Sequence, residues 1–462
     1  MALWGTGPGF RIGLLAYATG LIVVAIAWWR LGTLVRGPQA PSLRWVLATG
    51  ALWATPLLFV PPLGSRDLYA YVCQGAVWVD GHDPYEIGAA SGGCPWVSTV
   101  PDLWQDATAP YGALAIVVSA GAVVLARALA TGSEAQLLVA LNGLRAVALA
   151  GLLLVAIFGP RLARACGVSP ATAVWLGLTT PLVAVHAVGG AHNDALVAGL
   201  VVAGLALAAP AVGPRIGGRW TRPTVSGVLL GAAVAVKITA VVAIPFAVVL
   251  VFGARERRAA MALGATATAA FVGLSVGTGL GWGWIFALSG TSSLVQWTSP
   301  PTGIGMTIGY LLRGLGWPGA YDSAVTVARL LGLIALMVIG AVLLRRAVRR
   351  AGDTQAVVAA AGSAFAATAL LGPVLYPWYA LPALAVLATA IGDPAVRRWL
   401  ASATVVLTAL VLPSGLGVAP LAKLPGALAV TLGCGWFSWV WLRRRRTAML
   451  LDQPHARSSP VP

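Results

Sequence analysis

Thirteen acidic residues and four histidines serve a chain of 462 residues, so each is a candidate for proton transfer or polar recognition. Six of the acids, Asp67, Asp80, Asp83, Glu86, Asp102 and Asp106, lie between Gly64 and Gly112, with five tyrosines and tryptophans between Tyr69 and Trp96. Loops beyond about 12 to 15 residues are usually functional or disordered, and the aromatic density speaks against disorder. Asp67 stands first. It directly follows an apolar run broken at Pro61-Pro62, which sets a partly desolvated carboxylate at a membrane surface, where it can take a proton from a hydroxyl nucleophile. The simpler alternative is an interfacial acid paired with Arg66.

His186, His192, Asn193 and Asp194 in HAVGGAHNDALVAGL form a second group. They can cap a helix, ligate a metal or hydrogen-bond a sugar or phosphate in a surface pocket. Lys237 is one of only two lysines and sits between two apolar halves. It either snorkels or offers a cation to a lipid phosphate. Arg145 and Arg313 can serve the same purpose, and Arg145 lies inside an apolar run where it must find an anion or water. The segments WGWIFALSGTSSLVQWTSPPTG, with Trp297, and GPVLYPWYALP, with Tyr376, Trp378 and Tyr379, suit a membrane-interface aromatic belt. Their faces also stack on sugar rings.

These residues must be positioned by membrane-crossing helices. Composition is 59% hydrophobic and 9% charged, with a mean hydropathy of +0.86, which excludes a soluble multidomain chain. Continuous apolar runs choose helices over a β-barrel, giving an all-α polytopic membrane protein. Spans are expected near 12–30, 43–61, 112–130, 137–158, 172–188, 192–210, 224–237, 238–252, 259–280, 324–344, 355–372, 377–392, 399–413 and 426–442, for about 13 crossings. The parity leaves open whether 112–158 crosses once or twice. The first run reads as a retained span, because it lacks a preceding basic flank and an Ala-x-Ala site.

The net charge of +17 comes mostly from arginine clusters between these runs, such as Arg255, Arg257 and Arg258. That is the positive-inside pattern, so no nucleic-acid partner is expected. With Arg30 to Arg44 in the cytoplasm, residues 63–111 form a large extracytoplasmic catalytic loop and 281–323 a second outer loop. Residues 1–442 make one membrane-embedded domain and 443–462 a basic cytoplasmic tail. Cys73 and Cys94 share the outer loop, which leaves one disulfide open. No internal repeat is visible.

The ordered motifs SRDLYAYVCQG (65–75), GHDPYEIG (81–88), LWQDATAPYG (103–112), GGAHNDAL (189–196), the lysine of VKITAVVAIPF (236–246) and YPWYALP (376–382) resemble the actinobacterial α-(1→6)-mannosyltransferases that use polyprenyl-phosphate mannose. The resemblance spans about residues 40–400, and the chain departs from the family where APYGALAI stands in place of APYGPL. It implies a GT-C bundle in the plasma membrane with an extracytoplasmic active site, serving lipomannan and lipoarabinomannan synthesis. It also implies inversion at the anomeric carbon of a polyprenyl-phosphate mannose donor, with a lipid-linked mannan as acceptor and no metal or cofactor. Asp67 matches the family's catalytic acid. Lys237, Arg145 or Arg313 would hold the donor phosphate. Arg66, Tyr69, Asp83, Tyr85, Asp106, Tyr111, His192, Asn193 and Asp194 would contact sugars, with Trp297, Tyr376, Trp378 and Tyr379. The rivals are transfer of another sugar from a polyprenyl phosphate and a lipid-linked-sugar transporter or flippase. A transporter should gather polar groups at midmembrane and show paired halves.

Overall fold

The computed structural model describes residues 8–210, 220–292, 294–411 and 418–451. Arg215, Arg219 and the part of the expected tail after residue 451 lie outside them. The described elements are helices. Five are long and apolar enough to cross a membrane: Arg11–Val35, Ser133–Ala165, Arg257–Gly277, Ala320–Arg349 and Thr354–Leu371. A sixth span results if Val183–Gly189 and Asp194–Ala208, bent by 105°, count as one. Shorter apolar helices cover Ala113–Leu129, Thr221–Val236, Ile238–Gly253 and Pro377–Ala390.

In chain order, α1 (Pro8–Val35) and α2 (Leu43–Ala54) lead to a short turn of helix at Thr55–Leu58. The segment rich in acids then folds as α3 (Asp67–Val79) and the single turn α4 (Asp102–Gln105), before α5 (Ala113–Leu129) and α6 (Ser133–Ala165). α7 (Pro170–Gly177) and a wide π turn at Val183–Gly189 precede α8 (Asp194–Ala208). α9 (Thr221–Val236), α10 (Ala243–Gly253) and α11 (Arg257–Gly277) follow. The 29-residue run 224–252 breaks at Lys237, whose extended backbone (φ −151°, ψ 124°) separates α9 from the next turn. The lysine thus sits where the apolar pattern places a break.

The stretch 281–323, expected as an outer loop, holds α12 (Trp284–Ser292) and α13 (Pro300–Gly314). Gly305 and Gly309 let α13 close on α14 (Ala320–Arg349): a Cβ on Gly305 would come within 2.7 Å of the Val325 Cα, and one on Gly309 within 3.0 Å of the Tyr321 Cα. Small residues four apart are a helix-packing device in membranes. They also dilute hydropathy, which hides the helix from an apolar-run reading. α15 (Thr354–Leu371), α16 (Leu381–Ala390), α17 (Pro394–Ala409), α18 (Val418–Leu421) and α19 (Lys423–Leu451) complete the chain.

α3 is fastened on several sides. Cys73 forms a disulfide with Cys94. Gly75 faces α5 so closely that a Cβ there would fall 2.4 Å from the Ser119 carbonyl carbon. The Arg66 guanidinium donates to the Ser98 and Thr99 carbonyls. The disulfide closes a loop with a sequence separation of 21 residues, so Cys73→Ser is expected to lower stability by about 3 kcal/mol through unfolded-chain entropy. Thermal unfolding in detergent, with and without a reductant, measures it: reductant should lower the wild-type midpoint and leave the variant's unchanged.

Candidate active site

Asp67 occupies the first turn of α3, and its backbone N–H donates to the Ser65 hydroxyl at 3.0 Å. The approach to it is set from the other side by Arg145. This buried side chain, midway along α6, donates to the carbonyls of Leu58 and Val60, the two residues flanking Phe59 just before Pro61-Pro62. Neither proline can donate a hydrogen bond, so the break leaves carbonyls for a cation to satisfy. Arg145 was a candidate for the donor phosphate; the structure commits its guanidinium to the backbone and leaves it out of the cavity wall.

A cavity of about 430 Å³ opens beside Asp67. It unites side chains from distant segments: Asp67, Tyr71, Gln74, Trp104 and Tyr111 from the first, Asp194, Lys237, Tyr376 and Tyr379 from the second. The Lys237 Nζ donates to both carboxylate oxygens of Asp194 at 2.9 Å and lies 3.9 Å from the centre of the Tyr379 ring. Only 12% of the lysine side chain and 3% of the aspartate's is exposed. In a buried pair of this kind, removal of either partner strands the other. An ammonium has three N–H groups, so one remains for a further acceptor.

Much of the remaining wall is apolar: Ile238, Leu288, Leu333, Leu336 and Phe365 contribute. Leu333 and Leu336 lie midway along α14, whose most apolar window is only 6% buried within the protein. The cavity therefore runs from a carboxylate and a charge pair to a helix that faces hydrocarbon.

His192 lies behind this cavity. Fully buried, it stacks on Trp378 with ring centroids 3.8 Å apart, and Trp378 stacks in turn on Tyr376 at 4.7 Å. Its Nδ1 is 3.3 Å from the Tyr71 hydroxyl and 3.9 Å from the Asp67 carboxylate. The backbone turns sharply to put it there, with Ala191 at φ +47°, a left-handed conformation that a residue with a Cβ adopts at a cost. Asn193 occupies the N-cap position of α8 with no side-chain capping bond.

Other candidates stand apart. Asp83 accepts from the Tyr85 backbone N–H at 2.8 Å, and buried Tyr85 packs with Trp284 and Ile116. Tyr69 is buried in the apolar core around α3. Gly88 packs against the Asp106 backbone. Trp297 donates its indole N–H to the Ala419 carbonyl at 2.9 Å, and Arg313 lies over the Tyr321 ring. Arg66 serves the carbonyls already described. None of these lines the cavity. Among the described residues no three His, Cys, Asp or Glu side chains gather as a metal site.

Tyr71, Gln74 and Trp104 line the cavity but were not singled out from the sequence. Helical periodicity carries the signal for two of them: positions 67, 70, 71 and 74 fall on one face of a helix, and all four line the cavity.

Burial pushes the Asp67 carboxyl up from its ordinary 3.8 to about 6, while the Ser65 hydroxyl, the Lys237 charge and the Trp104 indole N–H pull the other way. A base of that strength holds a proton well and is still largely ionised at neutral pH. Beside it lie a fixed cation and a route to lipid. This arrangement can deprotonate a hydroxyl and receive an anionic leaving group in one enclosure.

A family model described as the α-(1→6)-mannopyranosyltransferase N-terminal domain matches residues 1–253, and one described as the MptB C-terminal domain matches 301–445. A probable α-(1→6)-mannopyranosyltransferase of Mycolicibacterium smegmatis is 33% identical over 428 residues, covering 87% of this chain and 74% of the relative. α-(1→6)-Mannopyranosyltransferase A of Mycobacterium tuberculosis is 34% identical over 386 residues, covering 81% of this chain and 70% of its own. No solved structure matches. With an N-terminal match over more than half the chain and relatives matched over most of both chains, the chain belongs to the α-(1→6)-mannopyranosyltransferase family and is a membrane glycosyltransferase.

Proposed function

We propose that this enzyme moves mannose from polyprenyl-phosphate mannose to the 6-hydroxyl of a lipid-linked mannan, inverting the anomeric carbon, on the extracytoplasmic side of the plasma membrane. The observation that carries the reading is the single cavity shared by Asp67, the Lys237–Asp194 pair and the lipid-facing Leu333 and Leu336. The relatives' names support the sugar and linkage. The Cys73–Cys94 disulfide supports the side, since disulfides persist in oxidising compartments.

In this mechanism Asp67 takes the proton of the acceptor O6 as that oxygen bonds to C1 of the donor mannose. The C1–oxygen bond to the lipid phosphate breaks on the opposite face, and its electron pair leaves with the phosphate. The free N–H of Lys237 meets the charge that develops there. Asp194 and Tyr379 keep the lysine from swinging away, which is preorganisation. The apolar wall receives the first part of the polyprenyl chain. Tyr111 and Tyr376 present hydroxyls to the mannose from the same cavity.

The base must be ionised to act, so kcat should rise with pH through about 6 and level off above it. The experiment is transfer from radiolabelled polyprenyl-phosphate mannose to a short α-(1→6)-mannoside in membranes holding the enzyme. A labelled, α-linked product of one added mannose is expected. No product, or a β-linked one, would overturn the reading.

A further inference from the structure

From Leu68 to Val77 every residue of α3 is buried except Gln74. Its side chain faces the cavity two turns beyond Asp67, on a helix tied down by a disulfide. No side-chain hydrogen bond to the rest of the protein engages its amide among the described residues. Trp104, half-buried on α4, lines the same cavity, followed along the chain by Ala107 and Thr108. The cavity thus has two kinds of wall. The 67–111 segment contributes a carboxylate, an amide, an indole and hydroxyls, whereas the later segments contribute the Lys237–Asp194 pair, the Tyr376 and Tyr379 hydroxyls and the hydrocarbon.

We propose that Gln74 and Trp104 form a saccharide subsite holding the sugar that precedes the reacting sugar of the acceptor. Gln74 follows Asp67 by seven residues, two turns of α3 and about 10.5 Å along its axis. That is further than the width of one hexose, so a sugar whose hydroxyl reacts at Asp67 does not reach Gln74, but the sugar linked behind it does. The amide offers two donors and an acceptor to vicinal hydroxyls. The Trp104 ring supplies the flat apolar surface on which the C–H face of a pyranose rests. A hexose excluded from the lipid-facing wall by its hydroxyls is accepted here because the Gln74 amide has no protein partner among the described residues.

The subsite rests on the mannosyl-transfer reading. The test compares two acceptors, a methyl α-mannoside and its α-(1→6)-linked disaccharide, with radiolabelled polyprenyl-phosphate mannose and full-length enzyme in nanodiscs. Wild type should use the disaccharide with a KM at least tenfold lower. Gln74→Ala should raise that KM about tenfold, the worth of one or two hydrogen bonds. It should leave the donor KM and the monosaccharide kcat/KM unchanged. Trp104→Leu and Trp104→Phe both remove the indole N–H beside Asp67 and should lower kcat with either acceptor, but only Trp104→Leu, which also removes the ring, should raise the disaccharide KM. If Gln74→Ala shifts the thermal midpoint, Gln74→Met, which keeps the length of the side chain, replaces it. Equal use of both acceptors by wild type, an equal effect of Gln74→Ala on both, or the same disaccharide KM for Trp104→Leu and Trp104→Phe would overturn the subsite while leaving the transfer reaction intact. Transfer to neither acceptor would overturn the functional reading and the subsite with it.

Discussion

Asp67→Asn is expected to cut mannosyl transfer by about 10²- to 10⁴-fold, the usual worth of a positioned general base. The substitution is nearly isosteric, so the amide still fills the space at the start of α3 and the Ser65 hydroxyl still accepts the backbone N–H of residue 67. Folding should not suffer. The carboxyl titrates higher in the folded protein than its ordinary 3.8, at about 6, because of burial. The folded state therefore binds that proton more tightly than the unfolded chain. The stability contributed by the protonated form is full below about pH 4 and is lost as pH rises through about 6. At neutral pH the ionised carboxylate is a cost, and a neutral amide removes it. The variant should melt at or above the wild-type temperature at pH 7 while losing its activity. Activity lost together with stability would instead mark Asp67 as structural.

Lys237→Met is expected to be the second most damaging change, and its effect divides into two parts. Removing the cation strands Asp194, whose side chain is only 3% exposed. Breaking one side of such a pair costs about 3–5 kcal/mol. Transfer should fall as well, because the leaving phosphate loses its counter-charge. Asp194→Asn strands the lysine and should destabilise to a similar degree. The double variant Lys237→Met with Asp194→Asn separates the two parts. With neither charge left to bury, most of the stability should return, yet transfer should stay low because the phosphate still has no cation. Melting temperatures and initial rates for the three variants measure this. Recovery of transfer in the double variant would confine Lys237 to a structural role.

The residues that matter most were legible because they break the pattern of their surroundings. Asp67 after a Pro-Pro break, Asp194 inside an apolar run and Lys237 between two apolar halves each stand out where charge is expensive. Their partnership was not legible. Lys237 and Asp194 are 43 residues apart in sequence, and only the packing of α8 against α9 and its following turn brings them together. Arg145 shows the limit most clearly: the sequence calls for an anion or water, and the fold supplies two carbonyls instead.

The sugar-contact candidates divided for a related reason. Asp83, Tyr85 and Asp106 belong to motifs dense in polar residues, but the segment uses them to fold itself, by an aspartate turn, a buried ring and close backbone packing. His192 is held behind the wall rather than on it, against Trp378 and near both Tyr71 and Asp67. The disulfide, open as one pairing on sequence grounds, joins Cys73 to Cys94. Most expected helices formed where apolar runs demanded them; α13 was hidden because glycines serving a tight helix contact lower the hydropathy by which an apolar run is recognised.

The position of the bound donor decides the roles of Asp67 and Lys237. A structure of the enzyme with a non-transferable polyprenyl-phosphate mannose analogue in a nanodisc locates it directly. The phosphate is expected within hydrogen-bond distance of Lys237 Nζ, with the lipid leaving past Leu333 and Leu336 and the anomeric carbon turned toward Asp67. A phosphate bound at Arg313, or a sugar in another cavity with Asp67 facing away from it, would contradict the account.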